Sequence, residues 1–186
     1  VIGGGAGGYS LSEGDGVEWL QYPVSAAGVT VDLNADPITG MQSASGGDAT
    51  GDQIQGFENV RGSDFGDVLI GNDERNYLIG NDGADTLTGN GGNDVIRGGA
   101  GADSLSGGDG VDWLQYTGSD AGVTVDLNAD PITGMQSASG GDATGDQIQG
   151  FEYEHRSHFG SGLIVNDERR LSIDVHGVDT DAGTAM

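Results

Sequence analysis

The chain has 186 residues and carries 30 acidic residues against 6 basic ones, giving a formal net charge of −24. Such a charge argues against binding to nucleic acid, whose backbone needs a cationic partner, and against anionic membrane surfaces. The absence of Cys excludes a disulfide framework, and no apolar stretch reaches the roughly 18 residues of a membrane-spanning helix.

Residues 1–22 contain two nine-residue units, GGAGGYSLS and EGDGVEWLQ. Each unit has glycines in its first part and ends on a triplet with Leu at its centre. Position six holds Tyr9 in the first unit and Glu18 in the second. Glu18 is a candidate metal ligand because it offers a carboxylate, whereas Tyr9 is not.

Residues 23–61 form a connecting segment between runs of such units. Val29–Leu33 alternates apolar and polar residues, a pattern that predicts a half-exposed strand. Residues 47–55 form a degenerate unit with Asp52 at position six, which is either a metal ligand or an ordinary turn residue. We expect the segment to continue the repeat structure with a surface excursion rather than to form a separate domain.

The segment ends in a shortened unit, Gly56–Arg61. Its apolar residues are Phe57 and Val60, and we expect one of them to point inward. The strand would then resume the spacing of the units that follow.

Residues 62–116 contain six intact units without a gap: GSDFGDVLI, GNDERNYLI, GNDGADTLT, GNGGNDVIR, GGAGADSLS and GGDGVDWLQ. Glycine opens every unit, and Leu or Ile stands at position eight. Position six is acidic or an amide in every unit: Asp67, Asn76, Asp85, Asp94, Asp103 and Asp112.

This spacing has a physical reason. The last three residues of a unit form a short strand whose central apolar side chain points inward, since strand side chains alternate. The first six form a turn in which glycines allow backbone carbonyls to converge. Together with the position-six oxygen, they match the hard oxygen ligands that calcium prefers. Weaker candidate ligands stand at position three of three units: Asp64, Asp82 and Asp109.

The six units follow the pattern G-G-x-G-x-D-x-U-x, and the chain therefore resembles the hemolysin-type, or RTX, calcium-binding repeat family. The resemblance implies an all-β fold, a right-handed parallel β-roll or β-solenoid, with two units per turn and calcium ions between stacked loops. Each ion would lie between loops two units apart, which implies about four sites: Asp67 with Asp85, Asp85 with Asp103, Asn76 with Asp94, and Asp94 with Asp112. The Asn76 site should be the weakest, because an amide lacks the charge.

The chain also repeats itself at an offset of 94 residues. Residues 27–58 are identical to residues 121–152, so residues 117–155 form a second connecting segment, with Asp146 in the place of Asp52. Residues 156–186 are degenerate units or a cap, in which Ser161 and Arg170 replace Asp67 and Asn76. Such a duplication is typical of a longer repetitive protein, and we expect the chain to be part of one.

Two alternatives concern individual side chains. Glu152, Glu154, His155 and His158 are candidate zinc ligands, but a zinc site needs three or four converging ligands and sequence drift or capping is favoured. The second alternative is sugar binding by the Trp residues at position seven.

Trp19 and Trp113 stand at position seven, which points outward. An exposed Trp can bind sugar. We instead expect the two Trp, with Tyr22 and Tyr116, to pack under the segment that leaves the roll.

Three functions fit this sequence. The first is a structural calcium-binding module, largely unfolded without calcium because metal binding and folding are coupled. The resemblance implies export by the type I secretion machinery and folding outside the cell. The second is an adhesin, surface-layer or filament subunit that associates end to end through unpaired strands. The third is the non-catalytic part of a secreted protease, lipase or alginate epimerase, since no catalytic arrangement is recognisable in the chain.

Overall fold

The structure is a computed structural model that describes residues 1–12, 14, 16–155, 162–164 and 172–173. These residues form two sheets and two 3-10 turns, Gly47–Ala49 and Gly141–Ala143. The strands are β1 (Ile2–Gly3), β2 (Ser10–Ser12), β3 (Trp19–Gln21), β4 (Thr30–Asp32), β5 (Gln42–Ser45), β6 (Gln53–Gln55), β7 (Asn59–Arg61), β8 (Val68–Ile70), β9 (Tyr77–Asp82), β10 (Thr86–Gly92), β11 (Val95–Ala100), β12 (Ser104–Gly110), β13 (Trp113–Gln115), β14 (Thr124–Asp126), β15 (Gln136–Ser139), β16 (Gln147–Gln149), β17 (Tyr153–His155), β18 (Gly162–Ile164) and β19 (Ser172–Ile173).

Sheet A has eight strands in the order β1-β3-β7-β9-β11-β13-β17-β19, and all its neighbouring strands are parallel. Sheet B has eleven strands in the order β18-β14-β15-β16-β12-β10-β8-β4-β5-β6-β2. Successive units of the intact run alternate between the sheets. The expected all-β roll with parallel strands is therefore confirmed.

The register of the strands shows that two units make one turn. In sheet B, Leu69 pairs with Leu87 and Leu87 with Leu105. In sheet A, Leu78 pairs with Ile96 in the same way. These position-eight side chains are at most 1% exposed and line the core between the sheets, because their neighbours in each strand point outward.

Strands β4, β5 and β6 of the connecting segment join sheet B and β7 joins sheet A, and the segment adds a feature that the sequence did not indicate. β4 pairs parallel to β8 and β6 pairs parallel to β2, while β5 runs antiparallel between β4 and β6. After β3, the chain first forms β4 next to β8 and only later forms β6 next to β2. The strand between them, β5, is antiparallel to both, and antiparallel neighbours can be joined by short loops. Phe57 and Val60 are both fully buried there, with Tyr22 and Leu33 in the same core.

Four aromatic residues were expected to pack under the connecting segments, and the two Trp at position seven pack differently from this prediction. Tyr22 and Tyr116 are buried beneath the connecting segments, as expected. The expectation for the Trp residues was wrong: the rings of Trp19 and Tyr77 lie 5.3 Å apart, and Trp113 stacks on Tyr153 at 4.8 Å. Position seven faces outward from sheet A, so each Trp meets an aromatic ring on a nearby strand of the same sheet.

The 94-residue duplication is also a structural repeat. Strands β14, β15 and β16 have the same pairing as β4, β5 and β6. Gly162–Ile164 form β18, which pairs with β14 as β8 pairs with β4. No helix in the described ranges is long and apolar enough to cross a membrane.

The two copies differ at one core position. Val60 in β7 pairs with Leu20 and is fully buried, while its counterpart Glu154 in β17 pairs with Leu114 and is equally buried. Burying a carboxylate costs free energy relative to an apolar side chain of similar size. We expect Glu154→Val to raise the melting temperature in saturating calcium by a few degrees, since about 1 kcal/mol corresponds to roughly 2–4 °C in a chain of this size.

The reverse substitution, Val60→Glu, is the matched control and should lower the melting temperature. Both can be measured by circular dichroism or calorimetry. An unchanged or lower melting temperature in Glu154→Val would show that the carboxylate is well accommodated.

Candidate metal centre

Position-six side chains form one ladder beside sheet B, each placed just before a strand. The backbone N–H of Asp67 donates to Oδ1 of Asp85 at 2.8 Å, and that of Asp85 donates to Asp103 at 2.9 Å. The ladder continues beyond the intact run, because the N–H of Asp103 donates to Oδ1 of Asp146 at 2.9 Å. We call these four residues the sheet B ladder.

A second ladder runs beside sheet A. The N–H of Asn76 donates to Oδ1 of Asp94, and that of Asp94 donates to Asp112, both at 2.8 Å. The N–H of Asp112 then donates to Oε2 of Glu152 at 2.9 Å. We call these four residues the sheet A ladder. The neighbours inside the intact run are those implied by two units per turn.

Glu152 and its counterpart Glu58 were not recognised as ladder residues from the sequence. Glu58 accepts a hydrogen bond of 2.8 Å from the N–H of Glu18. Both Glu side chains belong to shortened units, where counting forward from the first glycine does not reach position six. Counting back from the strand would have found them, because each stands directly before its strand.

The Asp residues in the middle of the two ladders differ from those at the ladder ends in the surroundings of their second carboxylate oxygen. The Oδ2 atoms of Asp85, Asp94, Asp103 and Asp112 are buried and have no hydrogen-bond partner among the described residues. The four side chains are at most 2% exposed. A buried carboxylate oxygen without a donor is costly and indicates a missing cation or water.

Backbone oxygens converge on the same places. A Cβ atom at Gly80, position one of its unit, would lie 2.0 Å from Oδ2 of Asp85 and 2.6 Å from the carbonyl oxygen of Gly98. These two oxygens therefore lie no more than 4.6 Å apart. Gly89 has the same surroundings, with Oδ2 of Asp94 at 2.2 Å and the Gly107 oxygen at 2.4 Å from its Cβ position. Since calcium binds oxygens at about 2.3–2.6 Å, one ion can reach both atoms of such a pair.

The donor set consists of oxygen atoms, which fits calcium and not a softer metal. Within the described residues, no three His, Asp or Glu side chains are grouped so that they could hold a metal ion by themselves. Backbone carbonyls would have to complete each site, as the glycine-rich turns predict. The residues present fit calcium in this respect.

Burial also changes the acid–base properties of the ladders. Burial raises the pKa of Asp85 and of Asp103 from 3.8 to about 7, and that of Asp94 to about 6. The pKa values of Asp67 and Asp112 are raised for the same reason. Neighbouring carboxylates add to the effect at Asp85, where the charges of Asp103 and Asp67 contribute. A bound cation would relieve both costs.

Two predicted ligands at the start of the run accept hydrogen bonds from backbone N–H groups of their own nine-residue units. Oδ2 of Asp67 accepts the N–H of Ser63 at 2.7 Å, and Oδ1 of Asn76 accepts the N–H of Asn72 at 2.8 Å. The Asn76 amide also donates to the carbonyl oxygen of Glu58 at 2.8 Å. The structure thus places both residues in the ladders, but with fewer open oxygens than their neighbours.

The weaker candidates lie in three environments. Asp64 lies in the bend before β8, Asp82 is the last residue of β9 and Asp109 lies near the end of β12; all three are exposed and lie outside the ladders. Glu18 is half-buried beside sheet A. Their role as ligands stays a prediction.

Asp52 and Asp146 each accept a hydrogen bond from a tyrosine hydroxyl. The distances are 2.9 Å from Tyr22 to Asp52 and 2.7 Å from Tyr116 to Asp146. Burial raises the pKa of both tyrosines, so each hydroxyl stays a protonated donor at neutral pH.

The zinc alternative gains no support from the described residues. Glu152 and Glu154 stand on either side of Tyr153 in sequence, and only Glu152 belongs to a ladder. His158 lies outside the described residues, as do Ser161 and Arg170, the positions of the predicted loss of ligands.

Residues 61–96 and 79–114 each match the family model of the RTX calcium-binding nonapeptide repeat, which spans four copies. The two matches overlap and together cover residues 61–114, which hold all four of the buried Oδ2 atoms that have no hydrogen-bond partner among the described residues. No curated protein matches the chain.

Proposed function

We propose, from the membership of residues 61–114 in the RTX calcium-binding nonapeptide repeat family, that this chain is a structural module whose intact run folds around calcium ions. The observation that carries the proposal is the set of four buried Oδ2 atoms without a partner, on Asp85, Asp94, Asp103 and Asp112. Bound calcium would neutralise these carboxylates, and its binding free energy would become folding free energy.

The setting of this module follows from its calcium requirement. Calcium sites of extracellular modules commonly have dissociation constants of about 10⁻⁴–10⁻³ M, and sites of that affinity would stay empty in the cytosol. We propose that the module is secreted by type I machinery, folds outside the cell, and stabilises or spaces attached domains. Any catalytic domain would lie outside this chain.

The duplication favours a second candidate function, an extended adhesin, surface-layer or filament protein. The strands of one 94-residue copy recur in the next with the same pairing, so copies of this segment can stack in one continuous solenoid. Light scattering and electron microscopy in calcium test whether copies also associate end to end. A calcium-loaded monomer would count against self-association.

Calcium stoichiometry tests the main proposal. We expect about four ions per chain at saturation, from the two-units-per-turn pairing of such repeats, measured by isothermal titration calorimetry or by metal analysis after dialysis. The double variant Asp85→Asn/Asp103→Asn should lose the ions of the sheet B ladder and keep those beside sheet A, because each substitution removes a charged ligand from that ladder alone.

Asp120→Asn is the matched control, since it makes the same chemical change at an exposed position of the second connecting segment. It should bind the wild-type number of ions. A wild-type chain that binds no calcium, or a double variant with the wild-type number, would refute the proposal.

A further inference from the structure

The sheet B ladder ends at a carboxylate whose two oxygens both have donors. Oδ1 of Asp146 accepts the N–H of Asp103 at 2.9 Å, and Oδ2 accepts the hydroxyl of Tyr116 at 2.7 Å. Tyr116 is 1% exposed and belongs to the core. In Asp85 and Asp103, the same Oδ2 atom is buried with no hydrogen-bond partner among the described residues.

The first copy of the repeat contains the same arrangement. Oδ1 of Asp52 accepts the N–H of Tyr9 at 2.9 Å, and Oδ2 accepts the hydroxyl of Tyr22 at 2.9 Å. Here Tyr9 takes the place of Asp103, so the neighbouring level offers no carboxylate. The tyrosine–aspartate pair therefore forms whether or not a second carboxylate lies beside it, which indicates a property of the connecting segment itself.

The surroundings of the glycine at position one also differ between the intact run and the Asp146 unit. In the intact run, the Cβ position of this glycine lies against the carboxylate of its own unit, as at Gly80 and Gly98. The corresponding residue of the Asp146 unit is Gly141, whose Cβ position lies 2.2 Å from Oγ of Ser119 and 2.9 Å from the carbonyl oxygen of Ala121. The convergence of carboxylate and carbonyl oxygens seen in the run is therefore not repeated at Gly141.

We propose that the hydroxyls of Tyr22 and Tyr116 take the place of calcium at Asp52 and Asp146, so that these two position-six carboxylates bind no ion. This inference rests on the proposed calcium-binding function of the run. The O–H donor supplies one hydrogen bond to the carboxylate oxygen that would otherwise need a cation. The calcium stack beside sheet B then ends inside the fold at each connecting segment, and the length of the intact run sets the number of ions per repeat.

The test compares three single variants with the wild-type chain by counting bound calcium ions at saturation. Asp146→Asn should keep the wild-type number and Tyr116→Phe should bind no fewer ions than the wild type, while Asp103→Asn, one level away in the same ladder, should lose at least one ion. Tyr116→Phe should also lower the melting temperature in saturating calcium, because it removes the hydrogen bond that Tyr116 donates to Oδ2 of the part-buried Asp146. Tyr22→Phe is the matched variant in the first copy and should behave in the same way.

The possible results separate this inference from the proposed function. A wild-type chain without bound calcium would refute both. A wild-type chain that binds calcium, with an ion lost in Asp146→Asn, would overturn the inference alone, whereas an ion gained in Tyr116→Phe would support it, because the hydroxyl would then have kept calcium from Asp146. Should Tyr116→Phe fail to fold, the ion count of Asp146→Asn decides the question, since the amide oxygen of this variant can accept the N–H of Asp103 while its amide N–H donates to the tyrosine oxygen.

Discussion

In the presence of a calcium chelator, lowering the pH from 8 to about 5 is expected to increase the β-sheet circular dichroism signal of this chain. The cause is the raised pKa of the buried ladder carboxyls, about 7 for Asp85 and Asp103 and about 6 for Asp94. The ordinary value of these groups is 3.8, so the folded chain binds more protons than the unfolded chain between about pH 4 and pH 7. Stability without calcium must then rise as the pH falls through this window.

The effect should be large. A carboxyl whose pKa rises from 3.8 to about 7 costs roughly 4 kcal/mol to keep ionised in the folded state. Several such groups are stacked in each ladder, and a domain's net stability is only about 5–15 kcal/mol. Protonation removes the charge that calcium would otherwise neutralise, so protons and calcium act as alternative means of stabilising the same ladders.

Calcium binding should show the opposite dependence on pH. Because protons compete with the ion for the same carboxylates, the calcium concentration at half-saturation should rise as the pH falls below about 7. The double variant Asp85→Asn/Asp103→Asn is the control, and its stability in chelator should depend less on pH. A wild-type β signal that stays constant or falls between pH 8 and pH 5 in chelator would contradict the prediction.

Gly80→Ala is expected to weaken calcium binding about tenfold or more and to destabilise the chain. The new Cβ would lie 2.0 Å from Oδ2 of Asp85 and 2.6 Å from the carbonyl oxygen of Gly98. The second contact is with backbone in a paired strand, so it cannot be relieved by rotating a side chain. Overpacking of this kind costs about 1–3 kcal/mol or more, and loss of one oxygen ligand adds to it.

Gly5→Ala is the matched control, because no atom other than those of Gly5 and its two chain neighbours lies within 4 Å of its Cβ position. Neither glycine has a positive φ, so backbone strain does not separate the two variants. Calcium titrations and thermal unfolding of both variants provide the measurement. Equal behaviour of the two would mean that the position-one glycine is not needed to bring the oxygens together.

Much of the intact run could be predicted because its contacts are periodic. A nine-residue period with one inward apolar residue predicts which residues pair, and Leu69, Leu87 and Leu105 are indeed aligned. The same period places Asp85 beside Asp103. Calcium ligation by these residues stays a prediction, since the structure shows the oxygens and not the ion.

The connecting segments could be predicted less well, because their contacts are not periodic. The antiparallel strand β5 lies between β4 and β6 in sheet B, and no local sequence pattern predicts this arrangement. Glu58 and Glu152 occupy ladder positions in units too short to be counted from their first glycine. Their place depends on the strand that follows and on the level to which the chain has returned.

The sequence by itself determined the period, the inward side chains, the order of the position-six oxygens and the family of the run, because these features depend on residue spacing along a regular stack. Only the tertiary structure decided which of those oxygens have a donor. Asp103 and Asp146 occupy the same position of their units, yet only Asp146 meets a tyrosine hydroxyl, 30 residues away in sequence. That contact exists because the folded connecting segment brings Asp146 beside Tyr116, which lies in the core, and spacing within a single unit carries no information about it.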